Sequence, residues 1–93
     1  MVMNIKNIPN FNNIYNSVYE EVKSRQTKSN TFVIVRSRKV IERFEEKFNI
    51  KTLNTITKDE GVVGYEFDNM VYPFDSIDFG SEENMTMCLL KWA

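Results

Sequence analysis

Phe11, Ile14, Tyr15, Val18, Tyr19 and Val22 recur at helical spacing, and Val40, Ile41, Phe44 and Phe48 do so again further along. Side chains three and four apart lie on one side of a helix, so each set forms a single apolar stripe that must be covered. Past residue 57 the period changes: Val63, Tyr65 and Phe67 alternate with Gly64, Glu66 and Asp68, the pattern of a strand with one covered face. Helical periodicity in one half and strand periodicity in the other argue for helices packed on a sheet. With 93 residues, the chain has room for one such core and no second domain.

Local signals place the elements. Asn10 is a natural N-cap for the first helix, its side-chain oxygen accepting an exposed amide hydrogen of the first turn. The polar stretch 26–30 ends that helix. Thr31-Phe32-Val33-Ile34-Val35 is an unbroken apolar run, as in a strand covered on both faces of a parallel sheet. Ser37 is expected to cap the second helix and Asn49 to close it in the left-handed conformation. Residues 50–57 read as the next strand, which makes strand, helix and strand a right-handed βαβ unit. Lys58-Asp59-Glu60-Gly61 reads as a turn. Asp68-Asn69 turns the chain into Met70-Val71-Tyr72, a hairpin that Pro73 ends. Residues 75–84 read as an acidic, irregular stretch. Residues 85–92 read as a closing strand, with Met85, Met87 and Leu89 on one face and Cys88, Leu90 and Trp92 on the other. Residues 2–8 are left open as a further strand. The expected fold is a single α/β domain over residues 1–93, α+β being the alternative. It has a mixed sheet with two helices packed on it, in the order α-β-α-β-β-β.

Charge is sorted by half. Residues 1–50 carry nine Lys/Arg against five Asp/Glu, and residues 51–93 carry three against eight, giving +4 and −5 in a chain of net −1. Such a chain can offer a basic face to one partner and an acidic face to another. Catalytic equipment is sparse. There is no histidine, hence no general base of the commonest kind near neutral pH. Cys88, the single cysteine, forms no internal disulfide and reads as a buried structural thiol. No apolar run approaches the roughly 20 residues of a membrane span, and the first residues lack the pattern of a secretory signal. The expected compartment is the cytoplasm. Residue usage rich in Asn, Lys, Ile and Glu fits an AT-rich coding genome, including those of phages, in which case the compartment is the host cytoplasm.

The best anion-site candidate is Arg36-Ser37-Arg38-Lys39, where a strand hands over to a helix start. Free amides and the positive end of the helix dipole favour an anion there, and open α/β sheets place ligands along this rim. The opposing reading is an ordinary solvated helix start. Lys23, Arg25, Lys28 and Arg43 extend the basic set to one that can track a phosphate backbone. Against this, the sequence pI is about 5.4, and nucleic-acid modules are usually strongly basic. Asp75, Asp78, Glu82 and Glu83 make an acidic docking candidate for a basic partner. They do not match the spacing of a calcium loop, so no metal site is expected. No cofactor-binding motif is present.

From residue 30 to residue 79 the order of features resembles part of a P-loop ATPase core of the kind found in phage helicases and terminases. The strand Thr31-Phe32-Val33-Ile34-Val35 running into Arg36-Ser37-Arg38 is similar to the strand and loop after the nucleotide-binding helix. The helix from Val40 to Phe48, the strand that follows, and Gly64-Tyr65-Glu66-Phe67-Asp68-Asn69-Met70-Val71-Tyr72 keep a similar order, leading toward Asp75. No Gly-x-x-x-x-Gly-Lys-Ser/Thr loop is present to cradle phosphates. The resemblance therefore implies a stripped α/β module without ATPase chemistry. The functional expectation is a small non-catalytic interaction protein, phage-encoded, that binds and modulates a larger host protein through its charged faces. The alternative is a nucleic-acid- or nucleotide-binding accessory protein using Arg36, Arg38, Lys39 and Arg43.

Overall fold

The structure is a computed structural model describing residues 1–26, 35–56 and 64–93. The strand expected at 31–35 and the turn at 58–61 fall outside these residues, apart from Val35, which is not in a strand. The described elements are β1 (Val2–Asn4), α1 (Phe11–Gln26), α2 (Ser37–Phe48), β2 (Lys51–Leu53), β3 (Tyr65–Phe67), β4 (Met70–Tyr72), β5 (Ser76–Asp78) and α3 (Glu82–Trp92), with a 3-10 turn at Ile5–Asn7. The molecule is a small mixed helix-and-sheet domain, as its two periodicities require.

Both helical stripes are where spacing puts them. Phe11, Tyr15, Val18 and Val22 are buried on α1, and Val40, Ile41 and Phe44 on α2. At the start of α1, Asn10 adopts φ 57°, and its backbone carbonyl accepts from the amides of Asn13 and Ile14. Asparagine tolerates this left-handed conformation better than other side chains. Helix α2 begins one residue earlier than expected: Arg36 occupies the cap position without a side-chain capping bond, and Ser37 is already helical. Asn49 ends α2 at φ 53°, ψ 52°, the left-handed closure its sequence position suggested.

The sheets depart from expectation. Among the described residues every ladder is antiparallel: β5 lies between β1 and β2, and β3 pairs only with β4. The strand expected at 31–35, with which residues 50–57 would form the parallel βαβ unit, lies outside the described residues apart from Val35, and among the described residues β2 runs antiparallel to β5. Strand β2 is also shorter than expected, because Asn54 at φ 56° takes the backbone out of extended geometry. The outer side of β2 is closed by Glu45, whose Oε2 accepts from the Thr52 amide (2.9 Å) and hydroxyl (3.1 Å). A carboxylate that occupies an edge amide blunts the edge against further pairing. The hairpin is as anticipated: Asp68 and Asn69 both have positive φ, the two-residue turn whose twist suits paired strands. Gly64 allows its approach. A Cβ there would collide with the Tyr72 carbonyl and come within 2.8 Å of Val71 Cγ1.

Two further corrections concern the second half. The stretch 75–84 is not irregular, for it contains the central strand β5, with Ile77 wholly buried. Residues 85–92 form a helix, not a strand. Their apolar residues fit either period, but Ser81 caps the helix by accepting from the Asn84 amide at 3.1 Å, and Glu82 and Glu83 occupy its first turn. The cap and the acidic first turn both favour helix. Residues 2–4 add the strand that the sequence left open.

The core is aromatic. Phe11 lies within 6.4 Å, ring centre to ring centre, of Tyr15, Phe44, Tyr72, Phe74 and Trp92. Such rings attract edge-to-face and offset, which gives this junction of α1, α2, α3 and the β4–β5 segment a defined geometry.

Candidate functional site: the groove between α1 and α2

Helices α1 and α2 pack side by side through their stripes, which brings their polar flanks together at one rim. Glu21 is the centre of that rim. Its Oε1 accepts from Arg43 Nη2 at 2.7 Å and Nε at 2.9 Å, and its Oε2 from Lys47 Nζ at 2.9 Å. Arg25, one turn along α1, adds a contact at 3.2 Å. Arg43 also reaches Glu46 Oε1 at 3.3 Å. The Glu21 side chain is only 25% exposed and that of Arg43 19%, so this bridge is partly withdrawn from water, unlike an ordinary surface pair. The hydrogen bonds from Lys47 and Arg43 hold the Glu21 carboxyl down at about 2, with burial opposing them.

Beside this bridge runs an open groove of about 280 Å³ lined by Val22, Arg25, Lys39, Glu42, Arg43 and Glu46. Its charges alternate in sign: Lys39 lies 3.9 Å from Glu42, and Arg43 lies between Glu21 and Glu46. The basic excess of the first half is therefore neutralised locally over this face and does not make a bare cationic patch.

Arg25, Lys39 and Arg43 are the sequence candidates that meet in the groove. Arg36 and Arg38 are exposed at the start of α2, Ser37 is half-buried there, and Lys23 is exposed on α1. Lys28 lies outside the described residues. The acidic candidates are spread over two elements. Asp75, just before β5, accepts from Asn54 Nδ2 at 2.8 Å. Asp78 accepts from the Gly80 amide at 2.9 Å and lies 3.6 Å from the Met1 ammonium. The Gly80 amide, then the ammonium and Lys51, keep its carboxyl below the usual range. Glu82 and Glu83 sit exposed in the first turn of α3. Among the described residues no three His, Cys, Asp or Glu side chains come together as a metal site, and no helix is long and apolar enough to cross a membrane. Cys88 is buried, its Sγ 3.7 Å from the Phe48 carbonyl, and burial pushes its thiol up.

Glu21, Glu42, Glu46, Lys47 and Val22 are the site residues the sequence reading missed. Arg25–Glu21, Lys39–Glu42 and Arg43–Glu46 stand three or four apart and were available as same-helix pairs. The bridge from α1 to α2 was not, because it depends on how the two helices dock. Comparison of the chain with family models, curated proteins and solved structures returned no match.

Proposed function

We propose that this protein is a small non-catalytic interaction domain that binds a larger protein through the groove between α1 and α2. The observation that carries this reading is the groove itself: an open cleft whose lining alternates Arg25, Lys39 and Arg43 with Glu42 and Glu46. A mixed-charge cleft favours a partner with a complementary arrangement of both signs, which gives selectivity as well as a faster encounter. It is less suited to a uniformly negative phosphate backbone, which would face Glu42 and Glu46 along with the cations. The absence of histidine fits a binding role better than a catalytic one, and the residue usage fits a phage product acting on a host machine.

The test is capture of a partner from host lysate on the wild-type protein and on the double variant Arg25→Glu/Lys39→Glu. Both side chains are well exposed, so the fold should survive the change. A protein retained by the wild type and lost from the variant is the expected result. Equal retention by both would move the interface elsewhere. Nucleic acid bound by the wild type, with affinity falling steeply as salt rises, would instead favour the accessory-protein reading.

A further inference from the structure

Helix α3 has one face turned to the core and one left uncovered. Asn84, Cys88 and Trp92 make up the inner face. The Trp92 ring lies 5.1 Å from Phe48 and 5.8 Å from Phe79. On the opposite side, helical spacing aligns Glu83, Met87 and Leu90, flanked by Thr86 and Lys91. Met87 is 51% exposed and Leu90 73%. Isolated exposed apolar side chains are ordinary, but two adjoining ones at the centre of a helix face form a patch.

The charge around this patch is ordered along the helix. Glu82 and Glu83 stand in the first turn and Lys91 in the last. That order makes the face complementary to itself in one orientation only. When a second copy runs antiparallel, Glu83 of each copy faces Lys91 of the other. Met87 then falls near the two-fold axis, with Leu90 beside it. A parallel arrangement would set like charges together. Self-complementarity about a two-fold axis is the geometry of the commonest homodimers.

We propose that this protein self-associates through α3, its outer face packing antiparallel on α3 of a second copy. The helix has 11 residues, about 16 Å of length. Such a contact is smaller than the roughly 800 Å² per partner of a stable interface, so the dimer is weak and forms as concentration rises. It uses none of the groove residues, and the two proposals can fail separately.

Sedimentation equilibrium over a wide concentration range tests this, with circular dichroism confirming that each variant is folded. The wild type should show a monomer–dimer equilibrium, and Leu90→Glu should remain monomeric. Glu83→Lys and Lys91→Glu should each weaken association about tenfold, equivalent to about 1.4 kcal/mol. The double variant Glu83→Lys/Lys91→Glu should restore association, because exchanging both charges regenerates the pairing. Recovery is diagnostic because both exchanges oppose the helix dipole and offer the monomer nothing. A wild type monomeric up to millimolar concentration would overturn the proposal. A double variant as weak as the singles would also overturn it.

Discussion

Tyr15 shows how much a single ring contributes to this small core. It stacks on Phe44 at 5.8 Å and meets Tyr72 edge-on at 4.9 Å. Burial pushes its hydroxyl up to about 12, with smaller contributions from Tyr19 and Tyr72. The folded value lies above the ordinary 10.0, so the fold favours the neutral phenol. Its contribution is complete below pH 10 and is lost as pH rises through 10 toward 12. The quantity at stake is on the order of 3 kcal/mol. Denaturant midpoints measured across this interval should fall steeply for the wild type and more gently for Tyr15→Phe, while tyrosinate absorbance reports the ionisation. An equally steep fall in the variant would transfer the effect to Tyr72, whose hydroxyl burial also raises. That Tyr15 is buried was legible from its place in the α1 stripe. That Phe11 touches four rings besides Tyr15, its neighbour one turn along α1, was not, since those partners come from three distant segments and no local period records them.

At the scale of elements, sequence reading succeeded where one signal stood alone and failed where two competed. The α1 and α2 stripes admit only a helix, and Asp68-Asn69 between alternating residues admits only a tight hairpin. The end of the chain is apolar on every side, so spacing could not separate helix from strand. Ser81 and the acids after it decided the matter, together with a scarcity of β-branched residues: Thr86 alone among 85–92. The same helix start holds the molecule together through Asn84. Its Nδ2 donates toward the carbonyls of Asn49 at 2.9 Å, Phe79 at 3.0 Å and Phe48 at 3.3 Å, joining the end of α2, the exit from β5 and the start of α3. Asn84→Ala leaves these carbonyls without that donor and should cost about 1–3 kcal/mol. Ser81→Ala, which removes only the cap, should cost about 1 kcal/mol. Urea unfolding of the two variants compares them directly. An Asn84→Ala protein no less stable than Ser81→Ala would show that α3 is held by its apolar face alone.

At the scale of the molecule, the basic excess of the first half does not survive as a bare pole along the rim between α1 and α2. Glu21, Glu42 and Glu46 belong to the basic half, and folding sets them directly against Arg25, Arg43, Lys47 and Lys39. Summing charge by segment cannot anticipate this, because an ion pair across two helices depends on their docking. The consequence is a clamp with a definite acid dependence. The folded state holds Glu21 at about 2 against an ordinary 4.5, so its contribution is present above pH 4.5 and is lost as pH falls from there toward 2. Glu21→Gln removes the charge at every pH and leaves Arg43, only 19% exposed, with the well-exposed Glu46 as its remaining carboxylate. The variant should therefore be less stable than the wild type at neutral pH. The gap should close progressively below pH 4.5, where the wild-type carboxyl itself becomes neutral. Paired denaturant titrations at neutral and acid pH measure that closure. A gap that persists unchanged near pH 2 would mean that Glu21 joins the helices by its shape and hydrogen bonds alone. Added salt gives a second handle on the same clamp. Screening weakens exposed pairs more than buried ones, so the Glu21–Arg43 contribution should outlast that of Lys39–Glu42, which is more than half exposed on both sides.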